Sequence, residues 1–66
     1  MNKVEKLRIK IDTELDKLKA WEILVDEKKI LWRNTPEEIL ELRKDIFMET
    51  IAPLIFEYKI ELKKII

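Results

Sequence analysis

The sequence predicts an all-α protein, an antiparallel hairpin of two long helices in a single domain, residues 1–66. The chain contains no glycine, the residue on which tight turns between strands depend. Leu, Ile, Lys and Glu dominate the composition, as is typical of helical proteins. Apolar residues recur at steps of three and four, which is the spacing of one helical face.

The first helix is predicted from a stripe of apolar residues. At about 100° per residue these positions form one face of a helix. The stripe consists of Val4, Leu7, Ile11, Leu15, Leu18, Trp21 and Val25. Asn34 is the first residue after the stripe that tolerates a left-handed conformation without strain, so we expect a helix of about 2–32 and a turn of 33–35.

The second helix begins at the clearest local signal in the chain. Thr35 can accept a hydrogen bond from the free N–H groups of a helix start, Pro36 suits the first helical position, and Glu38 completes a capping box. The apolar stripe that follows contains Leu40, Phe47, Ile51, Leu54, Tyr58, Leu62 and Ile65. The sequence therefore predicts a second helix of about 36–65. The aromatic residues expected to pack between the helices are Trp21, Trp32 and Tyr58.

Pro53 interrupts this second helix. It cannot donate a backbone hydrogen bond, and its ring presses against the carbonyl group of Glu49. We expect one helix that is kinked at Pro53, because the apolar stripe keeps its phase on both sides of the proline. A break at Thr50–Pro53, which would create a third helix, is the alternative.

Both predicted helices carry more apolar residues than one hairpin can cover. The surplus is densest near the turn, in the set Ile23, Leu24, Leu31, Ile39, Leu42 and Ile46. An exposed apolar patch of this kind usually marks an interface. We therefore expect these residues to form the contact of a homodimer, a four-helix bundle made of two hairpins. The alternative is that they are scattered surface residues.

Four carboxylates follow one another at four-residue steps along one side of the second helix. This acidic ridge consists of Glu37, Glu41, Asp45 and Glu49. Like charges at that spacing weaken a helix, so we expect a positive partner beside them. The candidate partners are the basic surface of another macromolecule or, within the first helix, Lys17, Lys19, Lys28 and Lys29.

The free end of the hairpin is basic. Its first helical turns contain Lys3, Lys6, Arg8 and Lys10. Cations at this end oppose the helix dipole, so these four are the candidate anion-binding residues, and nucleic acid is an alternative partner. The alternative is that these four residues bind no anion and are ordinary solvated side chains at a helix end. No aromatic residues are interleaved with them, as stacking on single-stranded bases would require.

The composition argues against catalysis and against cofactors. The chain has no histidine and no cysteine, which removes the commonest general base, the thiolate nucleophile and the usual metal ligands. We therefore expect no enzymatic activity, no metal and no cofactor. An unrecognised enzyme is the remaining alternative, in which turnover would depend on Arg8.

Neither net charge nor an apolar segment indicates a particular partner. Fourteen basic and fourteen acidic residues give a net charge of zero, and the longest uncharged stretch, Thr50–Phe56, is far shorter than the ~20 residues of a membrane span. The amino terminus lacks the apolar region of a signal peptide, so we expect a cytoplasmic protein. We expect it to be a non-catalytic interaction module or regulator that binds a protein partner through its apolar surface. The alternative is a small helical bundle that binds nucleic acid through its basic end.

Overall fold

The structure, a computed structural model, describes residues 2–65, and within that range the protein is an α-helical hairpin. The elements in chain order are α1 (Lys3–Asp26), α2 (Pro36–Ile46), a π-helical segment (Phe47–Ile51) and α3 (Ala52–Ile65). The first arm is α1, and the second arm is formed by α2, the π segment and α3 without interruption. The predicted all-α hairpin is confirmed.

α1 ends in a backbone hydrogen-bond motif. The N–H group of Lys29 donates to the carbonyl of Leu24 at 2.9 Å, and the N–H group of Lys28 donates to the carbonyl of Val25 at 3.0 Å. This pair of bonds is a Schellman motif, which requires a left-handed residue just after the helix. Lys28 takes that conformation, with φ 59°.

The first helix therefore ends at Asp26 instead of near residue 32, and this part of the prediction is wrong. A loop of 27–35 replaces the predicted turn of 33–35. The residues that follow Asp26 are charged, so they offer no apolar side chain to pack on the second arm. Packing of an apolar face is the main source of helix stability in proteins.

Replacement of Lys28 by glycine is expected to stabilise the protein by about 1 kcal/mol. The left-handed conformation costs a residue with a Cβ atom about 1 to 2 kcal/mol, and glycine escapes most of that cost. Lys28 is exposed, so its side chain contributes little packing. Chemical denaturation measures the change. Lys29→Gly, at a neighbour without positive φ, is the matched control and should destabilise; a loss of stability for Lys28→Gly would contradict the observed helix end.

The second helix begins at the predicted residue. The N–H group of Glu38 donates to the Thr35 hydroxyl at 3.2 Å, and the N–H group of Thr35 donates to the Glu38 carboxylate at 3.4 Å. Pro36 occupies the first helical position. The Asn34 side-chain amide donates to the other oxygen of the Glu38 carboxylate at 3.2 Å. The capping box is therefore confirmed.

Replacement of Thr35 by alanine is expected to lower the free energy of unfolding by about 1 kcal/mol, within the range of about 0.5 to 2 kcal/mol known for such caps. The change removes the acceptor for the Glu38 N–H group. Thr35→Ser keeps the hydroxyl and should retain nearly all of the stability. Equal stability of the alanine variant and the unchanged protein in a denaturant titration would show that the cap does not hold the helix start.

The second arm passes through Pro53 without a break. In the π segment before it, the N–H group of Ala52 bonds to the carbonyl of Phe47, five residues back. Pro53 has no N–H group with which to continue the α-helical pattern, and π segments are a common form of such irregularities. The irregularity expected at Pro53 thus takes the form of a π segment. Within the described residues the second arm has no break that would create a separate third helix.

The π segment also changes which residues face the first arm. It inserts one extra residue into the helical repeat, so the apolar stripe shifts by about 100° between α2 and α3. In α2, Ile39 is half-buried and Leu40 is 64% exposed. The prediction of a stripe with constant phase is therefore wrong for Leu40, although it holds for Ile51 and Leu54 in the later part of the arm.

In the middle of α1, too, a residue next to the predicted one is half-buried in its place. Leu15 was expected in the stripe but is 42% exposed, and Glu14 is half-buried instead. Helices that pack along their length contact each other at alternating steps of three and four, and Leu7, Ile11, Glu14 and Leu18 follow that spacing. Glu14 forms an ion pair with Lys17 at 3.2 Å, so the carboxylate at this contact position is not left unpaired.

The hairpin is one helix thick. Its principal extents are 47 × 19 × 12 Å, and a helix with its side chains is itself about 10–12 Å across. Within the described residues the buried side chains are Leu7, Leu18 and Ile51. They lie where α1 packs on the π segment and α3. Both broad sides of the hairpin therefore face solvent.

Candidate interaction surface

The predicted interface residues remain accessible near the loop end of the hairpin. Ile23, Leu24 and Leu42 are 49%, 38% and 37% exposed. The half-buried members of the set are Leu31, Ile39 and Ile46. The hairpin by itself therefore leaves much of this apolar surface uncovered.

These residues do not form one continuous patch. Ile23 and Leu24 are consecutive, so their side chains leave α1 about 100° apart. Ile39 lines a hollow between the two arms together with Trp21, whereas Leu42 lines a separate hollow on α2. The predicted interface is therefore divided between different sides of the hairpin.

An open groove of about 550 Å³ crosses the middle of one broad side, which we name the groove face. α1 supplies Thr13 and Glu14, and the second arm supplies Thr50, Pro53 and Leu54. The short side chains of Thr13, Thr50 and Pro53 leave this space unfilled. The groove was not predicted from the sequence. The signal for it is that small residues of both arms, Thr13 and Thr50, fall at matching heights in an antiparallel hairpin.

Two ion pairs connect the arms, one near each end of the hairpin. Arg43 pairs with Glu22 near the loop, and Lys3 pairs with Glu61 near the free end at 3.3 Å. The cation of each pair, Lys3 or Arg43, is at least half exposed, so water and salt screen the attraction. These pairs therefore define the register of the two arms more than they stabilise it.

Glu61 has a perturbed carboxyl group. It accepts a hydrogen bond from the Lys64 ammonium at 3.1 Å and pairs with Lys3. The Lys64 hydrogen bond is the main cause that holds the pKa of the Glu61 carboxyl below its usual value, and Lys3 adds to it against partial desolvation. A lowered folded-state pKa stabilises the fold above the ordinary carboxyl pKa, and that contribution is lost as the pH falls through the lowered value.

Within residues 2–65 the acidic ridge does not pair with the first-helix lysines predicted as its partners. All four carboxylates of the ridge are exposed, and none belongs to an ion pair within residues 2–65. Lys17 pairs with Glu14, and Lys29 pairs with Glu27. Within the described residues the expected pairing of the ridge with lysines of the first helix is therefore wrong. Lys17 and Lys29 pair with carboxylates close to them in sequence, and Lys19 and Lys28 belong to no ion pair in that part of the chain.

The four candidate anion-binding residues do not converge on one site. Lys3 is paired with Glu61. Arg8 lies two residues from both Lys6 and Lys10, and residues two apart on a helix do not face each other. Arg8 therefore leaves α1 on the flank opposite these lysines.

The loop exposes an aromatic residue that was expected to be packed. Trp32 is 65% exposed, and the Arg33 guanidinium covers one side of its ring at 4.6 Å from the ring centre. The expected packing of Trp32 between the arms is wrong because α1 ends before it. Trp21 and Tyr58 are half-buried.

None of the helices within residues 2–65 has the length and apolar character to cross a membrane. In the same range no three Asp or Glu side chains are grouped so that they could hold a metal ion. Comparisons of the chain with protein-family models, with curated proteins and with solved structures give no match.

Proposed function

We propose that the protein is a small non-catalytic interaction module that self-associates through its apolar helical surface and binds a protein partner. The observation that carries this proposal is the exposed area. The hairpin exposes 5537 Å², whereas a compact monomer of 8.1 kDa exposes about 4,500 Å². The excess of about 1,000 Å² is close to the ~800 Å² that each partner buries in a stable protein interface.

The exposed area includes large apolar side chains on every side of the hairpin. Those more than a third exposed are Ile9, Leu15, Ile23, Leu24, Trp32, Leu40, Leu42, Met48, Phe56, Ile60 and Ile65. Burial of apolar area is worth roughly 25 cal/mol per Å², and a single helical layer cannot provide it. A second layer of helices from another hairpin would cover one broad side and build the core that the monomer lacks.

A non-catalytic role is supported by the side chains that line the groove. The hydroxyl groups of Thr13 and Thr50 donate to carbonyl groups of their own helices at 2.9 Å and 2.6 Å. Neither donates to the Glu14 or Glu49 carboxylate that also lines the groove, whereas an activated hydroxyl donates its hydrogen bond to the base. The groove is therefore better suited to packing than to chemistry.

The alternative of nucleic-acid binding has weaker support. Arg8 diverges from Lys6 and Lys10, and Lys3 is engaged with Glu61, so a phosphate backbone would meet a narrow row of lysines instead of a broad basic surface. Binding to duplex DNA that falls steeply with salt concentration would favour this alternative over the proposal.

Thermal melting at two protein concentrations tests self-association. Unfolding of a dimer also separates its subunits, so the melting midpoint must rise with concentration. We expect the melting midpoint, monitored by circular dichroism, to rise by about 5 °C or more between 5 µM and 500 µM. A midpoint that does not change across this range would contradict the proposal.

A further inference from the structure

We propose that a second copy of this chain packs on the groove face with its loop at the same end, so that lysines of each α1 lie over carboxylates of the other copy's second arm. This inference rests on the self-association proposed above and adds the face and the orientation. Two charged rows that border the groove face carry the argument.

The first row lies on α1. It consists of Lys3, Lys6, Lys10 and Lys17, all exposed. Their spacings of three, four and seven place them on one flank of the helix. Lys10 lines the groove, so that flank borders the groove face. We name these residues the lysine row. Lys6 and Lys10 belong to no ion pair within residues 2–65.

The second row lies on the second arm. It consists of Asp45, Glu49, Glu57 and Glu61, and we name it the carboxylate row. Glu49 lines the groove together with Pro53, and Glu57 and Glu61 follow Pro53 at steps of four. In a regular α-helix, residues at steps of four would rotate around the helix by about 160° between Asp45 and Glu61. The extra residue of the π segment reverses about 100° of that rotation. The π segment therefore keeps the row on one flank.

Apolar residues continue the same face toward the loop. Leu24 lies seven residues beyond Lys17, and Leu42 lies three residues before Asp45, so both share a flank with their row. These two belong to the interface predicted from the sequence. The aliphatic stems of the lysine row can cover further apolar area while their ammonium groups reach a carboxylate.

The register of the hairpin decides which orientation matches the rows. The contacts of Lys3 with Glu61 and of Glu22 with Arg43 show that the two rows run side by side at the same heights. A two-fold axis parallel to the hairpin places each lysine row over the other copy's carboxylate row. An axis across the hairpin, with the loops at opposite ends, places lysines over lysines and carboxylates over carboxylates.

The charge distribution along the hairpin opposes this orientation, but weakly. The free-end half, 2–13 with 51–65, has seven basic and four acidic residues, and the loop half, 14–50, has seven and ten. In a same-end dimer the two free-end halves, each with a net charge of +3, therefore lie side by side, and so do the two loop halves, each with a net charge of −3. Those charges are spread over both faces of a molecule 47 Å long and are screened beyond about 8 Å at physiological salt. Facing rows lie within that distance, so they decide the orientation.

Spin labels on single cysteines test the orientation, because the chain has no cysteine of its own. In Arg33→Cys the label sits in the loop. We expect a distance between the copies of about 20–30 Å, since packed helices lie about 10 Å apart. Loops at opposite ends of a 47 Å molecule would give more than about 40 Å. Asp16→Cys, near the middle of the hairpin, is the control, because its distance is short in either orientation.

Charge reversal tests the rows themselves. We expect Lys6→Glu/Lys10→Glu to weaken the dimer about tenfold or more, because both symmetric contacts turn from attraction to repulsion. The matched control is Lys19→Glu/Lys59→Glu, which changes the net charge equally. Lys19 lies nine residues from Lys10, on the opposite flank of α1, so we expect a dissociation constant within about threefold of the original. Equimolar Glu49→Lys/Glu57→Lys chain should restore the association of the lysine-reversed chain.

The outcomes separate this inference from the proposed function. A chain that is monomeric by sedimentation would overturn both. A dimer with a long Arg33→Cys distance, or one that is unaffected by Lys6→Glu/Lys10→Glu, would overturn the orientation and leave self-association in place. A short distance together with loss and restoration of the dimer by the two charge-reversed chains would support it.

Discussion

Replacement of Ile51 by alanine is expected to lower the free energy of unfolding by about 2 to 5 kcal/mol, the range for deletion of a buried isoleucine side chain. Ile51 is the one fully buried large side chain within the described residues, at 0% exposure. It lies in the π segment, where the second arm packs on α1. A domain of this size has only about 3 to 10 kcal/mol of stability, so a large fraction of the variant should be unfolded at room temperature.

The matched control is Ile65→Ala, which removes the same atoms from a side chain that is 65% exposed and does not line the groove. We expect a change within about 0.5 kcal/mol, measured by the same urea titration. A loss below about 1 kcal/mol for Ile51→Ala would show that the central packing of the two arms is not as the structure describes it.

Replacement of Leu42 by lysine is expected to dissociate the proposed dimer while the hairpin stays folded. Leu42 is partly exposed in the single hairpin, where a lysine beside the Glu38 and Asp45 carboxylates is tolerated. Under a second copy the same ammonium group would be removed from water and pressed against that copy's surface, at a cost of several kcal/mol. Sedimentation should show a dissociation constant at least a hundredfold higher, with helicity by circular dichroism unchanged.

Leu40→Lys is the control for this prediction. Leu40 lies two residues earlier on the same helix, so its side chain leaves on the opposite flank, and the substitution adds the same charge. We expect the Leu40 variant to associate like the original chain. Equal dissociation of both variants would mean that the second copy does not cover the Leu42 flank.

The sequence predicted those parts of the fold that depend on local chemistry. Thr35, Pro36 and Glu38 define a helix start through hydrogen bonds within four residues, so no tertiary contact is needed to find it. The hairpin itself follows from two apolar stripes separated by one such signal. The end of the first helix was missed because the left-handed residue is Lys28, and residue type alone does not favour lysine in that conformation.

The surface was harder to predict because it depends on helical phase. The π segment shifts the stripe by one residue, which exposes Leu40 and turns Ile39 toward α1. Pro53 indicated an irregularity in the second helix, but a proline by itself does not determine whether the helix bends, breaks or gains a residue. Of the predicted interface residues, Ile23, Leu24 and Leu42 are exposed. The division of the set between two sides of the hairpin depends on the observed helical phase, which the sequence pattern did not show.

Sedimentation equilibrium of the unmodified chain measures the proposed self-association itself. At micromolar concentration we expect the chain to sediment as a dimer, at twice its mass of 8.1 kDa, and to dissociate on dilution. A single species of 8.1 kDa at all concentrations up to about 1 mM, a range that covers even weak association, would contradict it.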